Sequence, residues 1–292
     1  MRDKVIIRFN GGLGNQMFQW EFGSMLEETR DAEVYYDMSY FAHNYARAYQ
    51  LNIFNIEPKF VQGDWLKFKL DVIWTFRGFL ESKKFFGTKL ISEKQFNFDP
   101  HLGKIENDTY VDGFFQSDLY FNTIEYKLRQ DFKFITPMTE GSMQVASKIR
   151  SRNSISLHIR RGDYVQKPRY QKMYAECSLD YYKRGVEYIA KNYEDPPTLF
   201  IFSDDIEWVR ANLKLPYRMI FVSHNTGKNS YEDMRLMSLC TNNIIANSSF
   251  SWWAAWLNNN KEKIVIAPKK WFNDDNIVQT DVIPNSWVRI DN

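Results

Sequence analysis

The run His158–Tyr164 holds the residues of this chain whose types and spacing best suit phosphate chemistry. It places a histidine, the pair Arg160 and Arg161, and Asp163 directly after an alternating stretch, 155–157, that predicts a strand. Arginine carries a fixed fork of donors that suits phosphate oxygens, and ligands of open α/β sheets bind where strands end. We therefore expect a binding site for a phosphorylated ligand. The alternatives are a turn of solvated charges and an adhesion tripeptide, Arg-Gly-Asp.

Ser203, Asp204 and Asp205 follow a second predicted strand, 199–202. Carboxylates at a strand end can bind a metal or accept hydrogen bonds from ribose hydroxyls. The alternative is plain helix capping, with Ser203 or Asp204 as the N-cap.

Each of the two segments described above is a polar tip, that is, a run of polar residues that follows a strand. Asn247 to Ser249 form a third polar tip, which separates a predicted strand from the aromatic helix 249–257. The first turn of a helix offers orphan N–H donors and a partial positive charge, and serine hydroxyls add donors, which makes a natural anion site. The tryptophans of that helix are interpreted as core residues. If the three strand ends converge at one sheet edge, they suit a nucleotide diphosphate that carries a sugar.

A glycine-rich loop, 11–16, lies between a predicted strand, 5–9, and a predicted helix, 16–30. Such a loop can bring backbone N–H groups onto a phosphate or a sugar. It is neither the dinucleotide fingerprint, because Met17 occupies the third glycine position, nor a Walker A loop. A purely structural tight turn is the alternative.

Strands and helices alternate through the second half of the chain, which predicts a mostly parallel sheet. The Pro-, Gly-, Ser- and Thr-rich segment 136–142 is the best candidate for a domain boundary. We therefore predict two domains, 1–138 and 139–292.

Composition and charge narrow the class of protein. The 292 residues are 44% hydrophobic and carry a net charge of +2, which favours a globular protein and argues against a general nucleic-acid binder. Two distant cysteines form neither a disulfide framework nor a metal-ligand spacing. Neither a signal peptide nor a membrane span is predicted, so a cytoplasmic, soluble protein is expected. The basic, aromatic segment 59–89 is interpreted as a helical insert, with peripheral contact to the inner membrane surface as the alternative.

Three blocks of this sequence resemble the signature blocks of the α-1,2-fucosyltransferases. Further segments at 115–117, 202–205 and 231–234 resemble family blocks in the same order, so the resemblance spans nearly the whole chain. The three signature blocks are 10–19 (NGGLGNQMFQ), 158–164 (HIRRGDY) and 247–253 (NSSFSWW).

The resemblance implies a GT-B-like α/β architecture, in which two Rossmann-like domains face each other across a cleft. It implies an acceptor-side domain at 1–138, which holds the glycine-rich loop and a variable insert, and a GDP-sugar-binding domain at 139–292. The donor substrate would be GDP-fucose and the acceptor the 2-hydroxyl of a terminal galactose in a glycan, such as a bacterial surface polysaccharide. No metal and no cofactor are expected, nor any nucleic-acid partner.

The resemblance also implies roles for particular residues. Arg161 would bind the β-phosphate and stabilise the leaving group, and Asp233 would contact guanosine. Asp163 and His158 are candidates for the general base. Residues implied to bind the donor are Gly14, Asn15, Gln16, His158, Arg161, Asp204, Asp205, Asp233, Ser248, Ser249 and Phe250. The alternatives are a fucosyltransferase of another linkage, α-1,6 or protein O-linked, and a non-catalytic module that binds nucleotide sugars or glycans.

Overall fold

The strands described for this protein form two sheets, one in each of two compact units. One unit comprises Met1–Ile135 and Val278–Val282, and the other comprises Thr136–Ile277 and Ile283–Asn292. The roles assigned to the predicted domains, acceptor side and donor side, stay predictions. The computed structural model describes residues 4–43, 47–62, 84–85, 88–105, 108–162 and 168–292.

The described part of the first unit contains a sheet with strands β1 (Lys4–Arg8), β2 (Glu33–Asp37), β3 (Lys84–Phe85), β4 (Thr88–Ser92) and β5 (Thr109–Asp112). Their order is β2-β1-β5-β4-β3, and the β3–β4 pair is antiparallel whereas the other pairs are parallel. The predicted insert 59–89 lies for the most part outside the described residues.

Helices α1 (Leu13–Arg30), α2 (Ser39–His43) and α3 (Glu125–Asp131) belong to this unit. The predicted start of α1 at residue 16 is wrong by almost one turn, because Gly12 is the N-cap and its carbonyl already accepts from the N–H of Gln16. Two short 3₁₀ turns precede α3, and the side chain of Ser117 accepts from the N–H of Leu119 at the start of the first of them.

The described part of the second unit is built on six parallel strands in the order β11-β10-β9-β6-β7-β8. This arrangement confirms the parallel sheet expected from the alternating pattern. The strands are β6 (Ser154–Ile159), β7 (Thr198–Ser203), β8 (Arg218–Val222), β9 (Asn242–Ile244), β10 (Val265–Pro268) and β11 (Val288–Ile290).

Helices cover this sheet and bury its central strands. Ile155, Leu157 and Ile201 are fully buried, together with Tyr181 and Tyr182 of a covering helix. Each such side chain contributes on the order of 1.5–3 kcal/mol by leaving water, so this core fixes the strand ends that follow it. The helices are α4 (Glu140–Arg150), α5 (Pro168–Met173), α6 (Leu179–Ala190), α7 (Ile206–Asn212), α8 (Tyr231–Leu239) and α9 (Ser249–Leu257).

Candidate active site

The carboxyl ends of β9, β6 and β7 lie side by side at one edge of the second sheet. β6 pairs in parallel with both neighbours, and the register places Ile159 opposite Ser203 and Leu157 opposite Ile244. The three polar tips that follow these strands therefore meet at one edge, which is the condition that the sequence left open. In parallel α/β sheets this is the edge where ligands bind.

Asp204 joins the second tip to the arginine pair of the first. One oxygen of its carboxylate lies 2.9 Å from Nη1 of Arg160, and the other accepts from the backbone N–H of Arg161 at 2.9 Å. A Cβ built on Gly162 would lie 2.4 Å from Oδ2 of Asp204, so the approach requires glycine there. Capping by Ser203 or Asp204 is wrong, because Asp205 is the N-cap of α7 and accepts from the N–H of Trp208.

The guanidinium of Arg161 lies flat on an indole. Its Cζ is 3.3 Å from the ring centroid of Trp208, and its side chain is only 16% exposed. Carboxylate oxygens of Asp205 and Glu176 lie 3.5 and 3.9 Å from its nitrogens. Stacking of this kind fixes the plane of the guanidinium, so its fork of donors is held ready for an anion.

His158 is buried at the end of β6, and its ring centroid lies 5.8 Å from that of Phe250. Burial, reinforced by the positive charge of Arg160, lowers the pKa of His158 to about 4. The imidazole is therefore neutral at neutral pH. The hydroxyl of Tyr182 donates to the carbonyl of His158, which holds this strand end in place.

The third tip contains Asn247, which has a structural role, and the N-terminus of α9. Nδ2 of the buried Asn247 donates to the carbonyls of Ala175 and Trp271, so this side chain ties neighbouring loops together. Ser248 is the N-cap of α9, and its side chain makes no capping hydrogen bond. Its hydroxyl and the first N–H groups of α9 are thus suited to an anion at the sheet edge.

Asp233 lies on α8 within a hydrogen-bonded relay. Asn225 donates to its carboxylate at 2.8 Å, and the hydroxyl of Ser142 donates to the amide oxygen of Asn225 at 3.1 Å. Nε2 of His224 lies 3.2 Å from the same hydroxyl. Burial, with a smaller contribution from Glu232, raises the pKa of Asp233 to about 7. A carboxyl held in this way can accept from paired N–H donors of a base.

In the first unit, the glycine-rich loop leads from β1 into α1, and Gly14 and Asn15 lie in the first turn of the helix. Oδ1 of Asn15 accepts from Nε2 of Gln116 at 3.0 Å. The amide of Gln16 is buried and bonds to the backbone of Gly11, Ala48 and Gln50. Gln16 therefore shapes the loop, and its predicted contact with a donor stays a prediction.

Sequence reasoning brought together the arginine pair, Asp204, Asp205 and the α9 tip, but it missed other residues. Trp208 resembles any apolar residue of an amphipathic helix, and no local signal marks it as the partner of Arg161. Asn225 lies in a loop whose pairing with Asp233 depends on the fold. Asp163, a candidate base, lies outside the described residues.

Two further observations concern the described part of the chain. No group of three or more His, Cys, Asp or Glu side chains among the described residues is placed to hold a metal ion. None of the helices described for this chain is both long and apolar enough to cross a membrane.

Comparison with known proteins identifies the family to which this chain belongs. The family described as Glycosyl transferase family 11 matches residues 2–291. An Escherichia coli alpha-1,2-colitosyltransferase is 33% identical over 98% of this chain and 99% of its own length. An O-antigen biosynthesis glycosyltransferase of the same organism, WbnK, is 29% identical over 96% of this chain and 98% of its own length.

A solved structure supports the fold class. A mutant of Arabidopsis thaliana FUT1, solved in complex with GDP, superposes with a TM-score of 0.50 at 11% identity. The superposition covers 91% of this chain and 70% of that protein. The fold of this chain is of the GT-B class, in agreement with the expectation from sequence.

Proposed function

Because the chain belongs to glycosyl transferase family 11, we propose that it moves L-fucose from GDP-fucose to the 2-hydroxyl of a terminal galactose. Transfer of a sugar to an acceptor follows from the family itself. The donor and the acceptor are the proposed part. They are supported by the blocks at 10–19, 158–164 and 247–253, which resemble those of the α-1,2-fucosyltransferases.

The guanidinium of Arg161 is the observation that carries the proposal. It lies at the carboxyl end of β6, stacked on Trp208, and the neighbouring Arg160 is paired with Asp204. A diphosphate leaving group needs fixed positive charge at the oxygen where negative charge develops. Arg161 supplies that charge in this proposal, and the first N–H groups of α9 add to it.

Other residues divide the remaining contacts to the donor. Asp233 would accept from the guanine base, and Asp204 and Asp205, besides their hold on the arginines, would accept from ribose hydroxyls. The hydroxyls of Ser248 and Ser249 would face phosphate oxygens. Phe250, which packs beside His158, would also contact the donor. The same is proposed for the loop residues Gly14, Asn15 and Gln16.

The proposed reaction is a single displacement with inversion at the anomeric carbon. The acceptor oxygen forms a bond to that carbon as the bond to the β-phosphate oxygen breaks, through an oxocarbenium-like state. GDP leaves with the electron pair of the broken bond, and a base takes the proton of the acceptor hydroxyl. The protein accelerates this step by stabilising the charge that forms on the leaving phosphate.

The two candidate bases differ in what supports them. A pKa of about 4 makes His158 a weak base at neutral pH, and its burial favours a role in holding the strand end. Asp163 is the other candidate, and its position outside the described residues leaves it as a prediction from sequence.

A second donor is favoured by one specific observation. The E. coli relative with 33% identity is named an alpha-1,2-colitosyltransferase. Colitose is fucose without its 3-hydroxyl, so a GDP-linked 3-deoxy sugar would occupy the same site and differ only in contacts around one carbon. The second candidate is therefore transfer of colitose by the same displacement.

A binding measurement followed by an acceptor assay with each of the two donors tests the proposal. Calorimetry would first measure binding of GDP, and GDP release would then be followed with GDP-fucose and lactose. Release that depends on lactose, with an α-1,2 linkage in the product, is the expected result. A higher kcat/KM with GDP-colitose would favour the second candidate. GDP binding with neither donor turned over on any galactoside would contradict both.

A further inference from the structure

Glu93 follows β4 directly at the carboxyl edge of the first sheet and binds the turn that follows the neighbouring strand, β5. One carboxylate oxygen accepts from the N–H of Phe114 at 2.6 Å, and both oxygens lie 3.1 Å from the N–H of Phe115. No motif of the sequence singles out this glutamate. Its contacts are to backbone groups, so it acts on the conformation of the turn.

The conformation of the turn bound by Glu93 is constrained at Phe115 and at Gly113. Phe115 has a φ of 54°, in the left-handed region that a non-glycine residue occupies only when its surroundings require it. Its ring stacks on Phe22 of α1 with centroids 4.0 Å apart. A Cβ built on Gly113 would lie 2.7 Å from Cβ of Glu93, so the glutamate approaches closely only because residue 113 is glycine.

Gln116 links this turn to the glycine-rich loop by a hydrogen bond. It directly follows the held turn and is buried, and its Nε2 donates to Oδ1 of Asn15 at 3.0 Å. Asn15 in turn lies over the start of its own loop, because a Cβ built on Gly11 would lie 2.4 Å from its Nδ2. The orientation of the Asn15 amide thus depends on the turn at 114–116.

We infer that Glu93 is a positioning residue that sets the side-chain amide of Asn15 through the Phe114–Gln116 turn. This inference rests on the proposed function, in which Asn15 approaches the sugar diphosphate of the donor. Loss of the carboxylate would release the two backbone N–H groups and let Gln116 move. Donor binding would weaken, whereas groups that act on the leaving phosphate in the second unit would stay unchanged.

A double-mutant cycle tests the coupling. We expect E93A and Q116A each to raise the KM for the donor roughly 10-fold, with kcat changed much less, because they disturb one linked set of contacts. The double variant should be no worse than either single variant. A wild-type donor KM in E93A, or effects of the two changes that multiply, would overturn the inference.

Glu21 offers a matched control in the same unit. It is a fully buried glutamate on α1 whose carboxylate oxygens have no hydrogen-bond partner among the described residues. The E21Q variant neutralises a buried carboxylate that makes no hydrogen bond to the turn. Its donor KM should equal that of the wild type. A 10-fold rise in E21Q as well would mean that any buried acid of this unit has the effect, which would overturn the specific role of Glu93.

A spectroscopic measurement separates this inference from the proposed function and needs no activity. The side-chain amide signals of Asn15 in a ¹⁵N-labelled protein should shift in E93Q, which keeps the size of the side chain, and should stay in place in E21Q. Unchanged Asn15 signals in E93Q would overturn the inference even if the protein transfers fucose. Shifted signals in a protein that transfers no sugar would support the coupling and contradict the function.

Discussion

Arg161 combines features that suit a residue whose work is electrostatic. Its charge is balanced by Asp205 and Glu176, yet both carboxylates lie at 3.5 Å or beyond, longer than a tight ion pair. An incoming phosphate can therefore compete for the same nitrogens. Trp208, in contrast, contacts the face of the guanidinium and leaves its edge to an anion.

This arrangement predicts that Trp208 acts through Arg161. Replacement W208A removes the stacked surface, and a partly desolvated cation–π contact is worth up to about 2 kcal/mol, a factor of roughly 30. We expect kcat, measured as GDP release from the donor, to fall by up to that factor. The variant W208F keeps an aromatic face and should recover most of the rate. Equal losses in both variants would contradict stacking as the cause.

The sequence could predict which residues are charged at this edge, but not which partners hold them. Ser203, Asp204 and Asp205 are all capable caps, and their order alone does not decide among them. The structure decides because Asp204 is drawn to Arg160 and to the N–H of Arg161, which leaves Asp205 to cap α7.

The turn after β6 is the element on which the site most depends. Gly162 brings the carboxylate of Asp204 against the backbone, and a side chain there would push that carboxylate away from Arg160. The strand itself is fixed by fully buried neighbours such as Ile155 and Leu157. A change at the turn should therefore disturb the site and leave the sheet intact.

We predict that G162A lowers kcat/KM roughly tenfold or more, because small displacements of positioned groups have large catalytic effects. The matched control is G103A, since the nearest heavy atom to a Cβ on Gly103 is Cε of Met25 at 3.9 Å. Steady-state kinetics should separate the two variants while their unfolding temperatures stay close to that of the wild type. Full activity in G162A would show that the Asp204 contact is dispensable.

Regular alternation made the second sheet predictable, whereas irregular elements of the first unit escaped prediction. β4, with the sequence Thr-Lys-Leu-Ile-Ser, buries only Leu90 and lacks a clear pattern. Without that strand, Glu93 could not be placed beside the 114–116 turn. The positive φ of Phe115 likewise results from tertiary contacts, which no local propensity encodes.

Across the whole molecule, buried acids with raised pKa values, Glu93 and Asp233 among them, should make folding stability depend on pH. Burial raises the pKa of Glu93 and of Asp233 to about 7. Their folded pKa values exceed their unfolded values of about 4, so their contribution is fully present below about pH 4 and is lost as the pH rises from there through 7. His158 has the opposite sign, because its lowered pKa costs stability only as pH falls below about 6.5 toward about 4.

The free energy of unfolding should therefore fall between about pH 4.5 and about pH 7, by up to about 1.4 kcal/mol per pH unit for each acid, and His158 offsets part of this fall below about pH 6.5. Chemical denaturation at both pH values measures the decline. The double variant E93Q/D233N should lose the share of these two acids and keep that of Glu21, whose pKa burial also raises. A decline of the same size in that variant would assign the effect to other groups.

Turnover by Arg161 variants tests whether this guanidinium stabilises the leaving phosphate. R161A should lose a factor of about 10²–10³ in kcat, the usual cost of one donor at a developing negative charge, and should unfold at the wild-type temperature. R161K keeps the charge without the planar fork and should fall between the two. Near-wild-type kcat in a folded R161A, measured as GDP release from GDP-fucose with lactose present, would contradict this role of Arg161.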